Sequence, residues 1–454
     1  MSSIVIVGAG AAGIAAAEVL CAQGHRPVLI DEAERAGGQG YRQPAPDLAL
    51  DMRRLMGSEA ARYEALHRRF AALTERIDYR PRTLVWAVEG GTLHLLREGR
   101  AETIEATTLL LATGAMDRIA PMPGWTLPGV FTLGGAQVAL KDQGCLIGRR
   151  VAFLGSSPLL LLAARQYRQM GGEVAVVADT TGLAAKARAL PHLLASPRTL
   201  LRGLGYMADT LRAGTPLLHG VTPLAIEGDG HVESLRLRDA AGREHRFACD
   251  AVALGYGLKP ESQLADLAGA SFAYDTDFRL FLPKTDGFGR ARPGLYLAGD
   301  GVAIGGADAA EASGALAAYA ILSDLGKPND AAAIPLMRRV VRLRRFQRGL
   351  ARAFAWPVAQ IRAQAAETVL CRCESVTIGA VRAAMAQALG PVEVNRVKAM
   401  TRCGMGRCQG RVCGPALQEI VAAATARDGA AAGRLRGQAP VKPIALAAAG
   451  DIAP

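Results

Sequence analysis

Residues 4–20 read IVIVGAGAAGIAAAEVL, and the way this run divides decides the fold. The β-branched residues Ile4 to Val7 predict a strand, GAGAAG a turn, Ile14 to Gln23 a helix, and Pro27 to Ile30 a second strand. Gly8, Gly10 and Gly13 occupy GxGxxG between the first strand and the helix. The first glycine permits the tight turn, the second lets backbone approach a diphosphate, and the third lets helix pack on strand. The helix N-terminus then faces an anion. Asp31 follows the second strand 18 residues after Gly13, where a carboxylate can accept from ribose hydroxyls. This βαβ unit predicts a doubly wound α/β domain that binds a nucleotide.

Reading outward, residues 47–80 are helical and charged, and residues 82–111 alternate as short strands ending in TTLLLATGA, which contributes Thr113 and Gly114 to the nucleotide site. A second βαβ start begins at Arg150: VAFLGSS, PLLLLAARQYRQM, EVAVVAD. Strands return in VESLRLRDA and DAVALGYG, and PGLYLAGDGVAIGGADAAEASGALAAYAIL gives a strand, a glycine-rich turn and a long helix. A late strand of that kind completes the first sheet, so the second Rossmann-like domain is inserted in the first. The predicted units are 1–118 and 261–326 for the nucleotide domain, 119–260 for the insertion, 327–366 for a basic linker helix, 367–425 for a cysteine-bearing helical domain, and 426–454 for a low-complexity tail. The tail composition, from Ala422 onward, predicts mobility.

Two later pieces favour flavin over nicotinamide at the first site. RAGGQ, residues 35–39, brings Gly38 and Gln39 toward the diphosphate, and Gly299-Asp300-Gly301 follows an apolar strand. Asp300 is suited to ribityl hydroxyls, and the next helix N-terminus to charge on a reduced flavin ring. FAD is the expected ligand. At the second unit, GSSP (155–158) keeps Gly155 but places Ser157 where a glycine would admit a diphosphate; Asp179 ends the following strand. A working NAD or ATP site and a retained fold without ligand are both open there.

With 454 residues, 50% of them hydrophobic and 21% charged, the chain is long enough for several cores, and disordered or collagen-like classes are excluded. The apolar runs fall short of the roughly 20 residues of a membrane span, and Met1 leads straight into a strand, so a cytoplasmic location is expected. Seven arginines lie between Arg338 and Arg352; leaving them aside lowers the net charge from +12 to +5, so nucleic acid is not expected as a partner. Val340, Val341, Leu343, Phe346, Leu350 and Phe354 form the expected apolar side of that helix.

Eight cysteines in such a chain point to metal or redox use rather than disulfides. None is spaced CxxC, which removes a thioredoxin-type dithiol. Cys371 and Cys373 form CxC, and Cys408 and Cys413 form CxxxxC in GMGRCQGRVC, with Cys403 a fifth thiol nearby. This is no zinc ribbon. An iron–sulfur cluster suits it better, with zinc and free thiols as the other readings. Gly404, Gly406, Gly410 and Gly414 free backbone amides to face the sulfurs. Cys371 and Cys373 are ligands in either set, completed by Cys408 with Cys403 or by Cys408 with Cys413. Cys21, Cys145 and Cys249 read as buried small hydrophobes.

GAGAAGIAAA, DEAERAGGQ, GAMDRIAPMPGWTLPGV, FLGSSPLLLLAA, DAVALGYGLKP, LYLAGDGVAIGGADAAEASGALAA and the CRC…GMGRCQGRVC ending together resemble the flavin and iron–sulfur subunit of opine oxidases, D-hydroxyproline dehydrogenase and hydrogen cyanide synthase, over nearly the whole chain. The ending is also similar to the bacterioferritin-associated ferredoxin type of [2Fe-2S] domain, whose GMGxCQGxxC pattern implies Cys408 and Cys413 rather than Cys403. The resemblance implies a subunit of a heteromeric amine or imino-acid dehydrogenase that carries FAD and a [2Fe-2S] cluster. It implies a catalytic partner similar to D-amino-acid oxidases, a small third subunit, FMN at a subunit interface in some members, a membrane quinone or respiratory acceptor, and attachment to the inner face of the membrane through the complex. No acid, base or nucleophile is assigned in this chain. A self-contained NAD(P)H oxidoreductase is the alternative. Ser157 departs from the family's GSGP.

Overall fold

The computed structural model describes residues 3–426 and 428–445. Its first sheet has six strands in the order Arg290–Arg292, Leu295–Leu297, Thr108–Leu111, Ile4–Val7, Val28–Ile30, Asp78–Arg80. All neighbours are parallel except the Arg290–Arg292 edge. Leu295–Leu297 thus returns from late in the sequence to complete the first sheet, as the chain order predicts. The second sheet orders Leu217–His219, Glu173–Asp179, Arg150–Gly155, Ala251–Gly255 and Val130–Thr132, all parallel. It is built wholly from the insertion. Two three-stranded antiparallel sheets, over 83–105 and 222–248, flank these layers.

Small residues set how closely the first domain packs. Helix Ala11–Ala22 lies against helix Ala307–Asp324, and a Cβ on Gly314 would stand 2.0 Å from the Ala12 carbonyl oxygen. A Cβ on Gly13 would stand 1.8 Å from the Gly8 oxygen. Both lie far inside van der Waals contact, so the run of alanine and glycine in each helix is a packing requirement.

The 47–80 segment is less helical than expected. Helices Met52–Met56 and Ala60–Ala71 are separated at Gly57, and Asp78–Arg80 joins the sheet edge. The arginine helix runs Asp330–Ala353 and buries Val340 and Phe346, but Val341 is 63% exposed, against the expected apolar side.

The C-terminal domain pairs Val369–Cys371 with Val376–Thr377 and adds helices Ile378–Ala386, Val394–Thr401 and Gly414–Ala424. Its apolar residues, among them Leu370, Ile378 and Leu417, share one core with Trp125, Val221 and Leu254 of the insertion. The tail departs from expectation. Ala422 is buried within a helix, Arg434 pairs with Asp266, and the Val441 amide donates to the Trp86 carbonyl at 2.9 Å. Leu435 packs on the cysteine domain's core. Composition alone misses this because two side chains, Arg434 and Leu435, anchor an otherwise bland segment. The expected tail beyond residue 445 lies outside the described residues.

Candidate cofactor sites

The expected flavin residues converge at the C-terminal ends of the central strands of the first sheet. Gly8 has φ +109 and donates its amide to the Ile30 carbonyl at 2.7 Å. Gly10 and Gly38 face each other: a Cβ on Gly38 would stand 3.0 Å from Gly10 Cα. Gly299, at φ +70, lies over Ala12 with a Cβ-to-Cβ distance of 3.0 Å if substituted. Three backbone segments thus approach with no side chain between them, which is the cradle a diphosphate needs. Gln39 is exposed, and its Oε1 accepts from Arg42 at 3.2 Å.

Asp31 accepts from the amides of Ala9 (2.5 Å) and Ala33 (2.7 Å). Burial nonetheless raises its pKa above the ordinary carboxylate value. Asp300 behaves alike. Burial raises its pKa, while its Oδ1 accepts from Gly305 (2.7 Å) and Gly306 (3.0 Å). Those bonds hold the loop before helix Ala307–Asp324, and Oδ2 has no protein partner among the described residues. Thr113 donates to the Glu261 carbonyl at 2.5 Å, and the Glu261 amide donates to the Gly114 carbonyl at 2.9 Å.

Five cysteines meet in the C-terminal domain. The sulfurs of Cys371, Cys403 and Cys413 lie within 4.8 Å of one another, and Cys373 lies against Cys408. Hydrogen bonds from Cys403 and Cys413 lower the Cys371 pKa strongly, and amides of Gly404 and Glu374 add to this. The same contacts raise Cys403 and Cys413. This cysteine cluster with inward amides is the donor set of an iron–sulfur cluster. Gly406 is required because a Cβ there would stand 2.4 Å from Cys373 Cβ. Cys403 sits inside this group, closer to the site than its spacing suggests. Of the three remaining cysteines, Cys21 and Cys249 are buried as expected and Cys145 is exposed.

Sequence reading missed the groups that join the two sites. Glu261, fixed to the Thr113–Gly114 turn, accepts from Arg411 Nε at 2.6 Å and Nη2 at 3.0 Å. Arg411 lies between Cys408 and Cys413. Burial alone raises the Glu261 pKa, but Arg411 outweighs it and holds it below the usual range. Gln263 donates to the Gln409 carbonyl at 2.8 Å. A cleft of about 100 Å³ opens beside these contacts, lined by Lys259, Glu261, Gln409 and Leu435. Arg118 is 5% exposed, stacks on Trp356 at 3.9 Å and has unfilled donors at Nε and Nη2. Burial lowers its pKa to about 9. Lys141, buried with its Nζ 3.3 Å from the Gly40 carbonyl, is lowered to about 8. The sequence carries no local signal for Glu261, Arg411, Gln263, Arg118 or Lys141, because each is defined by a neighbour over 100 residues away.

The second unit keeps its turn but has spent its acid. Gly155 packs against Gly255, Ser156 and Ser157 are buried, and Asp179 Oδ1 accepts from the Thr181 amide and hydroxyl at 2.8 and 2.6 Å. Its Oδ2 lies 2.7 Å from Lys186 Nζ. The carboxylate that ribose hydroxyls would use is thus paired within the protein.

Two family models match the chain. The pyridine nucleotide-disulphide oxidoreductase model matches residues 2–315, and the BFD-like [2Fe-2S] binding domain model matches residues 369–423. Agrobacterium tumefaciens has an opine oxidase subunit that is 37% identical, over 98% of this chain and 90% of its own. Hydrogen cyanide synthase subunit HcnB of Pseudomonas aeruginosa is 34% identical, over 98% and 97%. The L-proline dehydrogenase from P. horikoshii superposes with a TM-score of 0.71 at 20% identity, over 98% of this chain and 78% of that one, which shows a shared fold. The glycine cradle and the thiol cluster fit the groups these families carry, so FAD and a [2Fe-2S] cluster are the cofactors of an oxidoreductase.

Proposed function

We propose, since this chain belongs to the pyridine nucleotide-disulphide oxidoreductase family and groups with HcnB and its opine oxidase counterparts, that it is the electron-transfer subunit of a heteromeric dehydrogenase. The substrate of that complex is an opine, D-hydroxyproline or a similar secondary amine or imino acid. It is oxidised in a partner subunit resembling D-amino-acid oxidase, with a small third subunit, FMN at the interface and a respiratory acceptor completing the assembly. The observation that carries the reading is the Glu261–Arg411 contact, which joins the turn beside the flavin cradle to the loop between Cys408 and Cys413.

In this reading FAD supplies two-electron and the cluster one-electron chemistry when bound. Gly8, Gly10, Gly13, Gly38 and Gly299 leave room for the diphosphate, and Asp31 receives the ribose. The free Oδ2 of Asp300 accepts from the ribityl chain, and Thr113 and Gly114 set the turn next to it. Cys371, Cys373, Cys408 and Cys413 hold the cluster, and Cys403 stands beside the Cys371 and Cys413 sulfurs. No residue in the chain is assigned to proton abstraction from substrate.

The rival is a self-contained NAD(P)H oxidoreductase using the second unit. The internal Lys186–Asp179 pair and the GSSP turn count against it. The two separate in a cuvette. With NADH added anaerobically the flavin band should stay oxidised, and it should bleach only when the amine substrate is present together with the partner subunit. Rapid bleaching by NADH alone refutes the relay role.

A further inference from the structure

Between the second sheet's strands Glu173–Asp179 and Leu217–His219 the chain makes two helices, Leu183–Leu193 and Pro197–Arg212. Their apolar residues recur at helical spacing but face outward. On the first, Leu183, Ala187, Leu190 and Leu194 (just past its end) are all exposed. On the second, Leu201, Leu204 and Leu211 are 66, 47 and 58% exposed, with Ala208 on the same stripe. Only Thr210 of that 16-residue helix is buried. An amphipathic helix of a globular protein turns its apolar stripe inward; these two bury only a few apolar residues and leave a second, leucine-rich stripe outside. They are nonetheless anchored. Ala189, Leu193 and Leu200 form a small core with Phe346, Leu350 and Ala353 of helix Asp330–Ala353, which fixes the block to the body of the protein.

Charge identifies what covers the leucines. Residues 183–213 hold five cations, Lys186, Arg188, Arg198, Arg202 and Arg212, and one acid, Asp209. Lys186 pairs with Asp179, Arg202 with Glu59, and Asp209 with Arg168. Arg188, Arg198 and Arg212 are exposed without an ion pair among the described residues, as are Arg338, Arg342 and Arg345 around exposed Val341 on the adjoining helix. Protein interfaces centre on tryptophan, tyrosine and arginine anchors seated in pockets, with leucine under-represented among them; every exposed large apolar residue of these two helices is leucine and none is aromatic. Leucine stripes flanked by unpaired arginine are the composition of helices that lie in an anionic lipid interface, with side chains among the acyl chains and guanidiniums at the phosphates. Among the described residues no helix is long and apolar enough to cross a membrane, so the contact is peripheral.

We propose that helices Leu183–Leu193 and Pro197–Arg212 dock this chain directly on an anionic phospholipid surface, without help from a partner subunit. The test is flotation of the purified full chain with its cofactors on vesicles of phosphatidylcholine alone or mixed with phosphatidylglycerol. The chain should float with the anionic vesicles at low salt, at least about tenfold more than with neutral ones, and be released near 0.5 M salt as charges are screened. Leu201→Glu with Leu204→Glu should cut binding by about tenfold or more, and Arg198→Glu with Arg212→Glu should do the same. An unchanged flavin and cluster spectrum certifies that each variant is folded. Failure to float on anionic vesicles, or equal flotation of folded variants, overturns the proposal. If the leucine variants keep vesicle binding but no longer join the catalytic partner, the face is a subunit interface and the lipid assignment falls.

Discussion

Gly13 and Gly10 show how neighbouring glycines serve different ends. The first is excluded from any larger residue by the Gly8 carbonyl, so it holds the βαβ unit together; the second has only Gly38 Cα within 4 Å of a Cβ, at 3.7 Å, and leaves the gap between the two backbone segments free of side chains, where the proposed diphosphate would pass. Among the cysteines, the crowding of Cys371, Cys403 and Cys413 makes Cys403 more than a bystander. Cys408→Ser and Cys413→Ser should each abolish the visible cluster bands while flavin stays bound. Cys403→Ala should keep the bands but shift the cluster potential, since a polar thiol beside the Cys371 and Cys413 sulfurs is lost. Redox titration followed by electron paramagnetic resonance decides it, and loss of the bands in Cys403→Ala with their survival in Cys413→Ser would reverse the ligand assignment. Lys141 gives a pH prediction. Its folded pKa, about 8, lies below that of an unfolded lysine, so the unfolded chain binds more protons between these values and stability rises with pH across that window. The penalty is fully present below about pH 8. In the flavin-free chain Lys141→Met should reduce the rise that sets in near pH 8, leaving the part due to Arg118 at about 9, and melts from pH 7 to 10.5 that keep the same slope in the variant would exclude the residue as a source.

At the scale of elements, the two cofactor loops are coupled by one buried ion pair. Glu261 hangs from the Thr113–Gly114 turn through two backbone contacts, and Arg411 is 8% exposed between two cysteines. Removing one partner leaves the other buried and unpaired, which costs about 3 kcal/mol or more. Arg411→Met should therefore destabilise the docked C-terminal domain by that order in urea melts read at the cluster absorbance, with FAD content unchanged. It should also slow electron exchange between flavin and cluster in flash reduction. A double-mutant cycle with Glu261→Gln separates the pair from general loss of packing, and zero coupling would discard the bridge. The elements themselves were legible in the sequence: GxGxxG between strand and helix, the late LYLAGDG strand, and CxC with CxxxxC. Glu261 in LKPES carries no such mark, since its partner is 150 residues away.

For the whole molecule, three assemblies meet around one another: the flavin sheet, the inserted sheet, and a C-terminal domain whose core is continuous with the insertion. Glu419, 1% exposed, is held by Arg279 and Arg362, and Arg434 brings the tail to Asp266. Composition read that tail as mobile because alanine and glycine dominate it, yet among the described residues, up to 445, a few side chains dock it. The leucines of residues 183–211 satisfy helical periodicity in the sequence, where inward and outward stripes look the same. By itself the sequence determined the two Rossmann units, their nesting, the glycine cradle and the cysteine cluster, because each depends on residue type at short spacing along the chain. Only the tertiary structure decided that Asp179 is already paired, that Glu261 and Arg411 bridge the cofactor loops, that Arg118 and Lys141 are buried cations, and that the leucine stripes face solvent. Those depend on which distant side chains fill the space around a residue, and spacing along the chain does not encode that.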